Sequence, residues 1–221
     1  MKKILLIEDR EERQKNLLQL VNINLNKYKN ILDNIIEDRF ITFIKDINNN
    51  SFDFSPYDVI IAHQSIFIED KRDILSKIRD ACEKGKRLVL FSGDKEISSY
   101  SDSSYEELGL SSKKLYSKNL ELFLEAFQKG EINIRIIAFG THWKANIMLN
   151  VLEKINLFIE TNSDEDIDYD EFLNTTGFLS MNNIDIELYK MKLDDNWVDN
   201  ISEIIKLRDS LKTIIKELAD E

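Results

Sequence analysis

Two acidic side chains and one histidine follow apolar runs in the first third of the chain, where each could take part in chemistry. Glu8 and Asp9 end the run 3–7, and His63 follows the run 57–62. Two carboxylates and an imidazole could form a mixed oxygen and nitrogen site for a transition metal. The histidine could also be phosphorylated directly or respond to pH. A structural explanation stays open as well, in which Asp9 caps the following helix and His63 is a polar residue at a strand end.

The segments around these residues alternate between strand and helix patterns up to about residue 130. Short apolar runs without polar alternation are typical of strands buried on both faces. Apolar residues three or four positions apart predict the helices. The predicted strands are 3–7, 31–36, 57–62, 87–91 and 114–116, and the predicted helices are 10–26, 40–44, 69–84, 105–108 and 118–128. The serine-rich stretch 98–104 is predicted to be a loop.

This alternation predicts an α/β fold over residues 1–130, with a parallel sheet and helices on both faces. Ligands in such folds bind at the carboxyl ends of the strands. Residues 131–221 predict a second, smaller domain of the α/β or α+β class. Its predicted elements are strands at 132–136 and 184–193 and helices at 141–160 and 197–218.

Residues 1–130 resemble the receiver domains of two-component response regulators. Four segments carry the resemblance in the order of that family: the first strand with its acidic pair at 2–9, the third strand at 57–61, the end of the fourth strand with its hydroxyl at 91–93, and the end of the fifth strand with its lysine at 115–118. The resemblance implies a flavodoxin-like (βα)5 fold and phosphoryl transfer to an aspartate, with magnesium held by the acidic pair. It also implies a phosphorylation pocket that consists of Glu8, Asp9, His63, Ser92 and Lys118.

The acceptor position departs from the family, because His63 stands where the family has its phosphorylated aspartate. Imidazole cannot form an acyl phosphate, and the change removes one carboxylate from the metal site. Lys118 is followed by Asn119, where the family usually has proline. We therefore expect a degenerate pseudo-receiver without a catalytic residue or a cofactor. Magnesium on Glu8 and Asp9 stays open as an alternative.

The segment 131–221 is strongly acidic. It carries 9 Lys and Arg against 19 Asp and Glu, whereas residues 1–130 carry 21 against 22. Binding to nucleic acid needs basic residues that neutralise phosphates, so we expect a protein partner and no nucleic acid. The acidic stretch 164–171 lacks the glycine and glutamate spacing of a calcium-binding EF-hand loop. The helix 197–218 has a wide apolar face, which could pack on its own domain or form a homodimer.

The composition is typical of a cytoplasmic protein. No apolar run reaches membrane-spanning length, and the first run is too short for a signal peptide. Cys82 is the only cysteine, so no intramolecular disulfide can form, and its neighbours predict a buried helix position. We expect signal transduction through protein–protein interaction, with a kinase-like ATPase or a larger signalling complex as partner. The alternatives are a metal-dependent enzyme using Glu8, Asp9 and His63, and a transcriptional regulator, which the acidic segment disfavours.

Overall fold

The structure, a computed structural model, divides the chain into two compact units, Met1–Thr141 and His142–Glu221. It describes residues 2–67, 72–83, 85–93, 95, 97–101, 105–161 and 201–219. The strand predicted at 184–193 and the acidic stretch 164–171 lie outside the described residues. None of the described helices combines the length and the apolarity that crossing a membrane requires.

A six-stranded sheet forms the centre of the first unit, with the strand order β2-β1-β3-β4-β6-β5. Its strands are β1 (Lys3–Ile7), β2 (Leu32–Ile35), β3 (Tyr57–His63), β4 (Arg87–Ser92), β5 (Ser98–Ser101) and β6 (Glu106–Ser111). Five strands are parallel, and the edge strand β5 runs antiparallel to β6. The α/β class that the sequence predicts is confirmed.

The helices follow the strands along the chain. In the first unit they are α1 (Glu11–Leu20), α2 (Glu37–Asn48), α3 (Arg72–Cys82), the single turn α4 (Ser112–Leu115), α5 (Lys118–Gln128) and α6 (Arg135–Phe139). Two 3₁₀ turns add Leu25–Tyr28 and Gln64–Phe67. In the second unit, α7 (Trp143–Thr161) and α8 (Ile201–Ala219) contact each other. Both bury apolar side chains, including Ile147, Val151, Ile155, Ile204 and Leu211.

The segment between β4 and α5 differs from the sequence prediction. The fifth parallel strand is Glu106–Ser111, and the strand predicted at 114–116 is wrong because Ser112–Leu115 forms one helical turn. The helix predicted at 105–108 is wrong too, because residues 106–108 belong to β6. Ser98–Ser101, predicted as part of a loop, pairs with β6 as β5. Leu108, Gly109 and Leu110 are all buried in β6, which is typical of a strand covered on both faces.

The strand predicted at 132–136 is also wrong, because Arg135–Phe139 forms the short helix α6. All five of its residues are buried, and α6 packs against α5. The sequence alternates Ile132, Ile134 and Ile136 with polar residues, which resembles a half-buried strand. Packing on a neighbouring helix decides the local structure here, since a segment of five residues has little intrinsic preference of its own.

The core on one face of the sheet lies between the strands and the helices α2 and α3. Phe43 and Ile47 of α2 meet Ile74, Ile78 and Cys82 of α3 over alternate strand residues. Cys82 is fully buried, as its sequence neighbours predict, and burial raises the pKa of its thiol to about 12. The thiol therefore acts as a small apolar group.

The register between β1 and β3 sets the position of the site. Ile7 lies opposite Ala62, so Glu8 and His63 leave the sheet side by side at its carboxyl edge. β4 continues this edge, because Phe91 lies opposite His63 and Ser92 follows it. Three of the residues expected in one pocket therefore stand on neighbouring parallel strands.

Phe43→Ala should lower the free energy of unfolding by about 3–5 kcal/mol, because it opens a cavity in this core. Phe43 is 2% exposed, and its ring meets that of Phe52 edge-on with 4.8 Å between the centroids. Ile41→Ala on the same helix is the matched control, because Ile41 is 56% exposed. Its effect should stay within about 0.5 kcal/mol. Urea unfolding followed by circular dichroism measures both, and equal losses would contradict the packing described.

Candidate functional site

Arg13 binds both carboxylates of the acidic pair. Its Nη2 contacts Glu8 Oε1 and donates to Asp9 Oδ1 at 2.6 Å, and its Nε donates to Glu8 Oε2 at 3.3 Å. Helix α1 begins at Glu11, and Arg13 lies one helical turn after Asp9 in sequence. The guanidinium therefore lies at the acidic pair, where the sequence analysis left magnesium open as an alternative.

Glu8 is the most buried charged group of the site, with 0% exposure. Besides Arg13, it accepts hydrogen bonds from the backbone N–H of Arg10 at 3.1 Å and from the hydroxyl of Tyr116 at 3.2 Å. Burial raises the pKa of Glu8, and the hydrogen bond and charge of Arg13 oppose that effect. A buried carboxylate is tolerated when it has such partners, so Arg13 is essential to this arrangement.

Asp9 faces Arg13 on one side and Ser65 on the other. Ser65 Oγ donates to Asp9 Oδ2 at 2.7 Å. Burial acts to raise the pKa of Asp9, but the hydrogen bond from Ser65 and the charge of Arg13 contribute to a net lowering. Asp9 is therefore ionised at neutral pH.

His63 is neutral and almost enclosed, with its side chain 5% exposed. Its Nδ1 accepts from the backbone N–H of Ser65 at 3.1 Å and lies 2.6 Å from Ser65 Oγ. The other ring nitrogen, Nε2, is buried and has no hydrogen-bond partner among the described residues. Burial and the nearby charge of Arg13 lower the pKa of His63 to about 4, although Asp9 acts in the opposite direction. The ring also packs edge-on against Phe91, with 4.9 Å between the centroids.

Three further polar side chains, those of Gln14, Asn34 and Tyr116, form a hydrogen-bond network that reaches Glu8. Gln14 Nε2 donates to the hydroxyl of Tyr116 at 3.2 Å and to Asn34 Oδ1 at 3.2 Å. Asn34 Nδ2 donates back to Gln14 Oε1 at 2.7 Å. Burial raises the pKa of Tyr116 well above its usual value, so its hydroxyl stays protonated and donates to Glu8. The network joins β1, α1 and β2 to Tyr116, the residue that follows α4.

The structure brings three of the five predicted pocket residues together. One ligand atom from each of Glu8, Asp9 and His63 lies within 4.8 Å of the others. Ser92 ends the neighbouring strand β4, where it lies opposite Ser111. Lys118 does not follow a strand, so its predicted position is wrong: it begins α5, is exposed and donates to Glu121 Oε2 at 3.0 Å.

Sequence reasoning missed Arg13, Ser65 and Gln14. The spacing of four residues between Asp9 and Arg13 is a signal that could have revealed the arginine, because oppositely charged residues four apart meet on a helix. Ser65 follows His63 by two residues, which suits a local side-chain to backbone hydrogen bond. Gln14 gave no signal, since its burial depends on how α1 lies on the sheet.

The site can hold a positive charge, and the chain supplies that charge itself. The spacing of the three ligand atoms suits a metal ion in size. Arg13, however, donates to both carboxylates, so a cation would have to displace the guanidinium. No protein-family model matches the chain, and neither curated proteins nor solved structures give a match.

Arg13→Met should lower the free energy of unfolding by about 3 kcal/mol, because it leaves the buried carboxylate of Glu8 without its cation. Arg10→Met is the matched control, since the Arg10 side chain is 70% exposed and that of Arg13 only 23%. Adding Glu8→Gln to Arg13→Met should recover part of the loss, because it removes the unpaired charge. Urea unfolding measures the series, and equally small losses for both arginines would refute the role assigned to Arg13.

The stability of the protein should fall as the pH is lowered from 6.5 to about 4, because His63 is neutral in the folded state. Its pKa is lowered from 6.5 to about 4 on folding, so the unfolded chain binds a proton in this window that the folded chain does not. The loss should reach about 3 kcal/mol from this group. His63→Gln should flatten this part of the profile in urea unfolding at a series of pH values. Identical slopes for the variant and the parent would show that His63 does not titrate in this way.

Proposed function

We propose that this protein is a receiver-like signalling module that is not phosphorylated on aspartate and acts by binding a protein partner. The observation that carries the proposal is the contact of Arg13 with both Glu8 and Asp9. A receiver pocket needs a divalent cation at the acidic pair, and here a cation of the chain itself binds both carboxylates. The charge of the pocket therefore stays the same, because its cation belongs to the chain.

The sheet supports the receiver-like part of the proposal. Its parallel strands follow the order β2-β1-β3-β4-β6, which is the order of flavodoxin-like doubly wound sheets. Glu8 and Asp9 follow β1, the first strand along the chain, and His63 ends β3, the third strand along the chain. The antiparallel strand β5, which lies between β4 and β6 in sequence, is a departure from a regular (βα)5 fold.

The chemistry at the acceptor position supports the absence of a phosphorylation switch. His63 is buried, and its Nδ1 is engaged by Ser65. An imidazole cannot form the acyl phosphate of an aspartate. Lys118, whose family counterpart neutralises phosphoryl oxygens, is paired with Glu121 instead. The surface that meets a partner should therefore be constant and independent of phosphorylation.

The charge of the segment 131–221 favours a protein partner over nucleic acid. Residues 131–221 have about twice as many acidic as basic groups, which opposes contact with phosphates. A kinase-like ATPase or a subunit of a signalling complex is the class of partner that we propose. A homodimer through α8 is a weaker candidate, because Ile204 and Leu211 are already buried within the chain.

A metal-dependent enzyme is the second candidate function. The close approach of ligand atoms from Glu8, Asp9 and His63 favours it. This function requires Arg13 to leave both carboxylates. A comparison of variants with and without Arg13 therefore tests it directly. His63→Asp alone should gain little magnesium affinity by calorimetry, whereas His63→Asp combined with Arg13→Met should gain it. Strong magnesium binding by the parent chain would favour the metal-dependent enzyme over the signalling module.

The chain should give no phosphoaspartate within residues 1–130 when it is treated with acetyl phosphate and magnesium, because no carboxylate stands at the position of His63. Intact-protein and peptide mass spectrometry measure this. The partner captured by the tagged chain from its native host should be the same, and equally abundant, with and without beryllofluoride. A phosphoaspartate, or a partner that changes with beryllofluoride, would overturn the proposed function.

A further inference from the structure

A cavity of about 360 Å³ lies between the end of α2, the loop that leads into β3 and the second half of α3. The end of α2, this loop and the end of α3 stand at the amino edge of the sheet, whereas Glu8 and His63 stand at its carboxyl edge. Pockets for small molecules have volumes of about 300–1,000 Å³, so this cavity suits a ligand of one ring with a short chain.

Two phenylalanines form an aromatic wall of the cavity. Phe52 and Phe54 are half-buried, and their ring centroids lie 4.8 Å apart with an interplanar angle of 64°. Phe43 contacts the ring of Phe52 edge-on, and Tyr57 stacks on that ring with 6.2 Å between the centroids. These contacts hold the wall in place without a ligand. The faces of such rings attract cations.

The carboxylate of Asp80 is the available charge at the rim of the cavity. It is exposed on α3, and within the described part of the chain it makes no hydrogen bond or ion pair. The amine of Lys77 is engaged, because it donates to the backbone oxygen of Ile47 at 3.3 Å. Asp53 in the loop is engaged as well, since it accepts from the backbone N–H of Ser55 at 2.8 Å and from its hydroxyl at 2.9 Å.

These groups favour an organic cation over an organic anion. An ammonium group can pair with Asp80 at the rim while the apolar part of the same molecule lies against the aromatic wall. An anion at Lys77 would have to draw its amine away from the oxygen of Ile47. Ile47 lies in the last turn of α2, where the helix dipole also favours positive charge.

We propose that this cavity binds small arylalkyl amines, with the ammonium group at Asp80 and the aromatic ring against Phe52 and Phe54. The site is separate from the acidic pair, so its test is independent of the proposed signalling function. The ligand contacts α2, the loop and α3 only in the folded chain, so its binding also stabilises the folded state by mass action.

An NMR titration of the isotope-labelled full chain with phenethylamine tests the proposal. Phenylacetate serves as an anion of similar shape, and ethylamine serves as an amine without the ring. Phenethylamine should bind saturably in the millimolar range and shift the resonances of Phe52, Phe54 and Asp80. The other two compounds should bind at least ~3-fold more weakly, because each lacks one of the two interactions. Equal affinity for phenethylamine and phenylacetate, or shifts centred elsewhere on the chain, would overturn the proposal.

Asp80→Asn and Phe54→Leu separate the two interactions. Each should weaken the binding of phenethylamine about 3-fold, because the first removes the charge and the second replaces the ring with an aliphatic side chain. Glu83→Gln is the matched control and should leave the affinity unchanged, since Glu83 is exposed just after α3 and does not line the cavity. Equal losses in Asp80→Asn and Glu83→Gln would contradict the site. If Phe54→Leu does not fold, these two surface variants decide the proposal.

Discussion

The first unit depends on how the buried carboxylate of Glu8 is neutralised. A carboxylate with 0% exposure would be strongly destabilising without a cation and hydrogen-bond donors. Arg13 supplies the cation, and the backbone of Arg10 and the hydroxyl of Tyr116 supply further donors. The chain itself thus supplies the groups that compensate the charge of Glu8 at the carboxyl edge of the sheet.

The same guanidinium shapes the rest of the site. It binds Asp9, which in turn accepts from Ser65 in the 3₁₀ turn after β3. Its charge contributes to the low pKa of His63, which keeps that ring neutral at the end of β3. Asp9 is therefore held ionised and His63 neutral at neutral pH. The proposed signalling module would present a constant surface to its partner, whereas a phosphorylation switch needs a group that changes its charge.

The sequence predicted the parts of the fold that local patterns determine. The continuous apolar runs of β1, β3 and β4 indicated buried parallel strands, and the residues that end them indicated the site. β5 could not be predicted, because Ser98–Ser101 has no apolar pattern and becomes a strand only by pairing with β6. Because the pairing of β5 with β6 was not predicted, the fifth parallel strand was predicted at 114–116 and not at 106–111. Lys118 was therefore wrongly expected to follow that strand. The role of Arg13 depends on where α1 begins, which a sequence locates only within a few residues.

Crystals grown with manganese would measure the occupant of the acidic pair directly, because anomalous diffraction locates the ion. We expect the Arg13 guanidinium within hydrogen-bond distance of both Glu8 and Asp9, and no manganese between the two carboxylates. A manganese ion bound by Glu8, Asp9 and His63, with Arg13 displaced from both carboxylates, would contradict the central claim that the chain supplies its own cation.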